Sequence, residues 1–113
     1  MSDGQASSAP ATATVTISNA PPQANAGPDQ TVRRVTVVVL DGRKSSDSDG
    51  TLTAFAWRQV SGPSVALISP NTPRAAFVAP LVVFNPVVLE FELKVTDNDG
   101  ATSTDRVRVT VTR

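Results

Sequence analysis

The clearest pattern lies towards the C-terminus. Leu89, Phe91, Leu93 and Val95 alternate with Glu90, Glu92 and Lys94, and Val107, Val109 and Val111 alternate with Arg106, Arg108 and Thr110. Successive side chains of a strand point to opposite faces, so each segment has one core face and one wet face. Asp97-Asn98-Asp99-Gly100 stands between them as a hairpin signal. Shorter strands are predicted upstream. Residues 24–32 form a first edge strand broken at Gly27-Pro28, and the continuous apolar run within residues 35–40 predicts a central strand. Residues 53–59 follow, with Phe55 and Trp57 inward, then short strands at 65–68 and 75–78. Segments rich in Gly, Pro, Ser and Asp separate them, and no window keeps a helical period of 3.6 residues.

About seven short strands in one domain-sized stretch predict an all-β fold, an immunoglobulin-like β-sandwich of about seven antiparallel strands over residues 23–113. Trp57 would plug the space between the sheets. Residues 1–18 read differently, as a flexible tail or the remnant of a preceding repeat. Asp3-Gly4 followed by Val15 and Ile17 echoes Asp99-Gly100 followed by the valines of the last strand, and residues 14–18 alternate like a strand. Asn19-Ala20-Pro21-Pro22 then makes residues 19–22 a stiff linker, because paired prolines cannot continue a ladder and hold the chain extended.

Composition narrows the chemistry. The 113 residues contain no cysteine, histidine or tyrosine, and 10 basic side chains balance 10 acidic ones. Imidazole bases, thiolate nucleophiles, Cys/His zinc sites and disulfides are therefore excluded. Balanced charge without a basic run argues against nucleic acid, and no apolar run nears the roughly 20 residues of a membrane span. The first five residues have neither the basic nor the apolar region of a signal peptide, and read as the start of a fragment cut from a longer chain. Glu90 and Glu92 sit about 7 Å apart on one strand face, a separation a glycosidase could use, but no pocket is predicted around them. No base is placed to activate a serine, and neither Lys44 nor Lys94 is placed for a buried isopeptide crosslink. Phe84 is the one aromatic residue that could lie exposed for contact with a sugar. The chain is expected not to be an enzyme.

Two turns carry paired carboxylates: Asp47-Ser48-Asp49-Gly50 and Asp97-Asn98-Asp99-Gly100. In an immunoglobulin-type sandwich both lie at the pole where the linker arrives, with only Arg43 and Lys44 near them. Asp-Gly marks turns for conformational reasons, with the aspartate capping local amides and the glycine supplying a positive φ. Converging carboxylates also repel unless a cation intervenes, and calcium accepts six to eight oxygen ligands in irregular geometry. Both readings stand at this point.

Three stretches together resemble the polycystic-kidney-disease (PKD) type domain in its bacterial extracellular form. They are Pro21-Pro22-Gln23-Ala24-Asn25-Ala26-Gly27-Pro28-Asp29-Gln30-Thr31-Val32, Leu40-Asp41-Gly42 running to Ser46-Asp47-Ser48-Asp49-Gly50, and Val95-Thr96-Asp97-Asn98-Asp99-Gly100-Ala101-Thr102. Trp57-Arg58-Gln59-Val60-Ser61-Gly62-Pro63 departs from the common Trp-Asp-Phe-Gly-Asp-Gly and looks like the receptor-for-egg-jelly-related branch. The resemblance implies a sandwich module, usually in tandem, in secreted or surface proteins. It implies a non-catalytic spacer that orients adjacent domains, or alternatively an adhesion or accessory module contacting a polysaccharide, a collagen-like protein or a host surface. It also implies a calcium site at Asn19, Ala20 (through its carbonyl), Asp47, Asp49 and Asp97, with Asp99 either behind the ligands or forming the turn. A monomer is expected.

Overall fold

The computed structural model describes residues 20–82 and 84–113. The expected tail or repeat remnant at 1–18, its strand at 14–18, and Asn19 lie outside them. Six strands follow in order: β1 (Gln30–Arg33), β2 (Val37–Asp41), β3 (Leu52–Ser61), β4 (Arg74–Val78), β5 (Val87–Asp97) and β6 (Thr102–Thr112). They form a four-stranded sheet in the order β1-β6-β5-β3 and a two-stranded sheet, β2-β4. The immunoglobulin-like sandwich stands, with six strands among the described residues.

The alternation read from β5 and β6 sets the core. Leu89, Phe91, Leu93, Val95, Val107, Val109 and Val111 are all buried, and Val38, Leu40, Ala75 and Phe77 face them from the second sheet. Phe77 and Phe91 meet across the layers with ring centroids 4.8 Å apart, a tilted contact that favours the pair beyond the area it buries. Trp57 is 4% exposed as expected, and its indole N–H donates to the Thr72 carbonyl at 3.2 Å. Gly42 lies beneath it, where an added Cβ would stand 2.6 Å from Leu93 Cδ2 and 3.1 Å from Trp57 Cζ2.

Three expectations are corrected. Residues 24–32 are not one strand: Gln23 bridges Ser46, the chain turns at Gly27 with φ of 83°, and pairing resumes at Gln30. β1 then runs parallel to β6, so the sandwich is not wholly antiparallel. The break lets the chain leave the β2 side and cross to the edge of the other sheet, travelling in the direction of the last strand. The apolar run 35–40 is not central either. Among the described residues β2 pairs with β4 alone, and the run includes Val35, Val37 and Val39, all exposed. Finally, residues 65–68 make only a bridge from Ile68 to Ala76. The Gln59 side chain secures that segment instead, accepting from the Val65 N–H at 3.0 Å and donating to the Pro63 carbonyl at 2.7 Å.

Candidate functional site

The two Asp-x-Asp-Gly turns meet at one pole. Asn98 Oδ1 accepts from the Thr51 N–H at 3.0 Å, and the Asn98 N–H donates to the Thr51 carbonyl at 3.0 Å. The incoming chain reaches the same place, since the Ala20 N–H donates to Asp49 Oδ2 at 2.8 Å. Ala20, Asp47, Asp49 and Asp97, expected together from the sequence, are thus gathered around one pole; Asn19 is outside the described residues.

Their environments differ. Asp97 is 2% exposed, and its Oδ1 accepts from the amides of Asp99 and Ala101, each at 2.9 Å. This carboxylate closes its own hairpin, and Asp99 contributes its amide to the turn, one of the two roles open to it. Both oxygens of Asp47 are buried with no donor in good hydrogen-bond geometry, although the residue as a whole is half-buried. Burial, then the neighbouring Asp49 and Asp97 carboxylates, pushes its pKa up, with only partial relief from the Asp49 amide. The basic residues of the loop do not offset this charge. Arg43 is committed to Asp41 at 2.8 Å, and Lys44 is exposed beside Asn25, Gly27 and Asp41 in a shallow pocket.

Gly50 has a different reason from the one expected. Among the described residues the glycines with positive φ are Gly27, Gly62 and Gly100. Gly50 is required for space, because a Cβ there would lie 2.2 Å from Asn98 Oδ1 and 3.1 Å from Asp47 Oδ2. Asn98 is the site residue that sequence reasoning missed. Its signal was its place inside the hairpin turn, where an amide side chain caps neighbouring main chain.

Among the described residues, no three acidic side chains converge as a ready-made metal cage. What the pole offers is one orphaned carboxylate, with three other named residues around it. An orphaned buried carboxylate suits an oxygen-seeking cation such as calcium, which completes its shell with carbonyls and water.

The remaining candidates fall elsewhere. Glu92 receives Arg58 at 2.9 Å and Arg106 at 3.4 Å, and Glu90 faces Arg106 at 3.8 Å. The hydrogen bond from Arg58, with the charges of both arginines, holds the Glu92 carboxyl below its usual range. The pair is a rung of an ion ladder on the outer sheet face. Lys94 and Lys44 are exposed, and Phe84 is 82% exposed on the β4–β5 connection.

Residues 26–111 match the family described as "K319L-like, PKD domain". The chain is 37% identical over 97 residues to human low-density lipoprotein receptor-related protein 11, covering 84% of this chain and 18% of that protein. It is 36% identical over 107 residues to the mouse dyslexia-associated protein KIAA0319-like protein, covering 89% of this chain and 10% of that one. Among solved structures, the PKD domain of the KIAA 1837 protein superposes with a TM-score of 0.68 at 32% identity, covering 88% of this chain and 91% of that chain. The chain therefore spans a fifth or less of the curated relatives it matches, and nearly all of the isolated domain.

Proposed function

This chain belongs to the K319L-like PKD domain family, and from that premise we propose that it is a non-catalytic extracellular module that spaces and orients its neighbours in a longer polypeptide. The observation that carries this reading is the position of the two ends of the described chain. Ala20 is tied to Asp49 beside the 97–100 hairpin, whereas Thr112 ends β6 at the far pole, where its carbonyl accepts from the Arg34 N–H at 2.8 Å. Eleven residues of extended strand separate the poles, roughly 35 Å at about 3.3 Å per residue. A unit that receives the chain at one end and releases it at the other sets a fixed distance between neighbours.

The absence of native cysteine makes the test direct. Spin labels on Ala20→Cys and Arg113→Cys should give one narrow distance distribution near the length of β6. A broad distribution, or a short one, would end the spacer reading.

Calcium belongs to the same proposal. Asp47 would be its principal ligand, with Asp49, Asp97, the Ala20 carbonyl and Asn19 beside it, and it would stiffen the junction between linker and sandwich. The two buried oxygens of Asp47, with no donor in good hydrogen-bond geometry, support this. Calcium should raise the melting temperature relative to chelator, and Asp47→Ala should abolish the difference. Equal melting curves for the unsubstituted chain in calcium and chelator would remove the ion from the proposal.

Exposed Phe84 favours a second reading, an accessory module that contacts a polymer through this loop. Retention on cellulose, chitin or collagen that is lost in Phe84→Ala would support it; no retention on any of the three would end it.

A further inference from the structure

The outer faces of the two sheets have opposite characters. The four-stranded sheet carries the ladder of Arg58, Glu90, Glu92 and Arg106. The two-stranded sheet carries none of this. Val37 pairs with Val78 and Val39 with Ala76, and Ile68 bridges Ala76 at the margin. Val37 is 70% exposed, and Val39, Val78 and Ile68 are exposed with it. No charge interrupts this strip before the Asp41–Arg74 pair at its end.

An independent observation points to the same face. Val35 lies beside the strip, its N–H donating to the Ala79 carbonyl at 3.0 Å. It is 60% exposed and holds φ at 60°. A β-branched residue is strongly disfavoured there, because its Cβ crowds the following carbonyl oxygen, whereas glycine or asparagine fits. The chain thus keeps an exposed valine where its own backbone would favour another residue. Water gives that side chain nothing in return; an apolar partner would.

We propose that this face is a self-association surface, on which two copies of the chain pack their β2-β4 sheets together about a two-fold axis. An uncharged strip is complementary to itself, and isologous contact is the simplest way to cover it. Short branched side chains suit sheets stacked at the usual spacing of about 10 Å. The area is on the right scale. Side chains of this size carry on the order of 100 Å² each, so the strip with Val35 reaches the roughly 300–600 Å² of the largest patch on a typical monomer. That is less than the roughly 800 Å² that each partner contributes to a standard interface, so a weak, concentration-dependent dimer is expected. A sugar fits less well, since the strip offers no aromatic ring for stacking, and its polar side chains, Ser69, Arg74 and Asp41, stand at one end of it. The inference departs from the monomer expected above and does not depend on the spacer role.

The test is sedimentation equilibrium of the whole chain from low-micromolar to near-millimolar concentration, with folding followed by thermal melts. The mass should rise from monomer to twice that value. The double variant Val37→Lys/Val78→Lys should raise the midpoint at least a hundredfold, and Val37→Thr/Val78→Thr, which keeps β-branched side chains on the strands, at least tenfold. Val35→Asn should raise the melting temperature measured on dilute, monomeric protein while weakening association, opposite signs that a folding defect cannot produce. Phe84→Ala should leave association unchanged. A monomeric mass throughout overturns the proposal, as does a dimer that tolerates both double variants.

Discussion

The loop ending at Gly50 and the hairpin ending at Gly100 carry the same four-residue signature and meet at the same pole, yet they resolve their charge in different ways. Asp97 is buried and spends one oxygen on two amides of its own turn. Asp47 has both oxygens buried without a donor in good hydrogen-bond geometry, beside two further carboxylates. The glycines divide similarly: Gly100 supplies a φ of 86° with open space around it, while Gly50 vacates the volume that Asn98 and Asp47 occupy. One motif therefore serves as a closed structural turn and as a turn that leaves its first carboxylate poorly compensated. What separates them is how well the local main chain presents its N–H groups: two amides bond Asp97, while the Asp49 amide gives Asp47 only partial relief.

That contrast can be broken by substitution. The largest effect is expected for Asp97→Ala, which strips the acceptor from two amides in a buried turn and should cost about 2–3 kcal/mol in urea unfolding. Gly100→Ala comes next, at about 1–2 kcal/mol, because a Cβ is forced into the left-handed region. Gly50→Ala should cost about 1 kcal/mol, as the exposed Asn98 side chain can turn away from the new methyl group only by losing its bond to Thr51. Asp47→Asn should act in the opposite direction. In chelator at neutral pH it should raise the melting temperature, because it removes a charge that burial and two neighbours oppose. If Asp47→Asn destabilised the chelated protein as Asp97→Ala does, the two turns would be equivalent and the contrast would fail.

Acid titration sharpens the same point. The folded pKa of Asp47 is raised, so between its unfolded and folded values the native state holds more protons than the unfolded chain. Its contribution therefore favours the fold at low pH and is lost as pH rises through the folded value, unless a cation takes the place of the proton. Asp41 behaves oppositely. The hydrogen bond from the Arg43 guanidinium, aided by the Arg43 amide, brings its pKa down to about 2. Its stabilisation is present above 3.8 and lost as pH falls towards 2, but it is worth less than about 1 kcal/mol at an exposed pair. Melting curves of Asp47→Asn and Asp41→Asn between pH 3 and 7 should therefore diverge from the parent protein with opposite slopes.

Much of the architecture was legible because alternation is a local property. Leu89 to Val95 and Val107 to Val111 declared their inner faces without reference to any partner, and Trp57 announced its place between the layers by being a lone large ring on a strand. The pole was legible too, from two matching turns and a known end-to-end logic of sandwiches. The behaviour of the apolar run at 35–40 was not. Continuous valine suits a strand covered on both faces, but here one face of β2 meets Phe77 and its neighbours while the other carries exposed Val37 and Val39. Only the neighbours of a strand decide between these outcomes.

From sequence alone came the all-β class, the long hairpin of β5 and β6, most of the core, and the gathering of acid at one end. These follow from side-chain period and turn chemistry within a few residues. Tertiary structure decided that β1 runs parallel to β6, that among the described residues β2 lies at an edge with an exposed face, and that Asp47 rather than Asp97 is poorly served by donors. Those outcomes depend on groups far apart in the chain, such as Ala20 with Asp49, or the Arg108 amide with Asp29 Oδ1, 79 residues away. Periodicity says which side of a strand avoids water. It takes the packed fold to say whether anything is there to cover it.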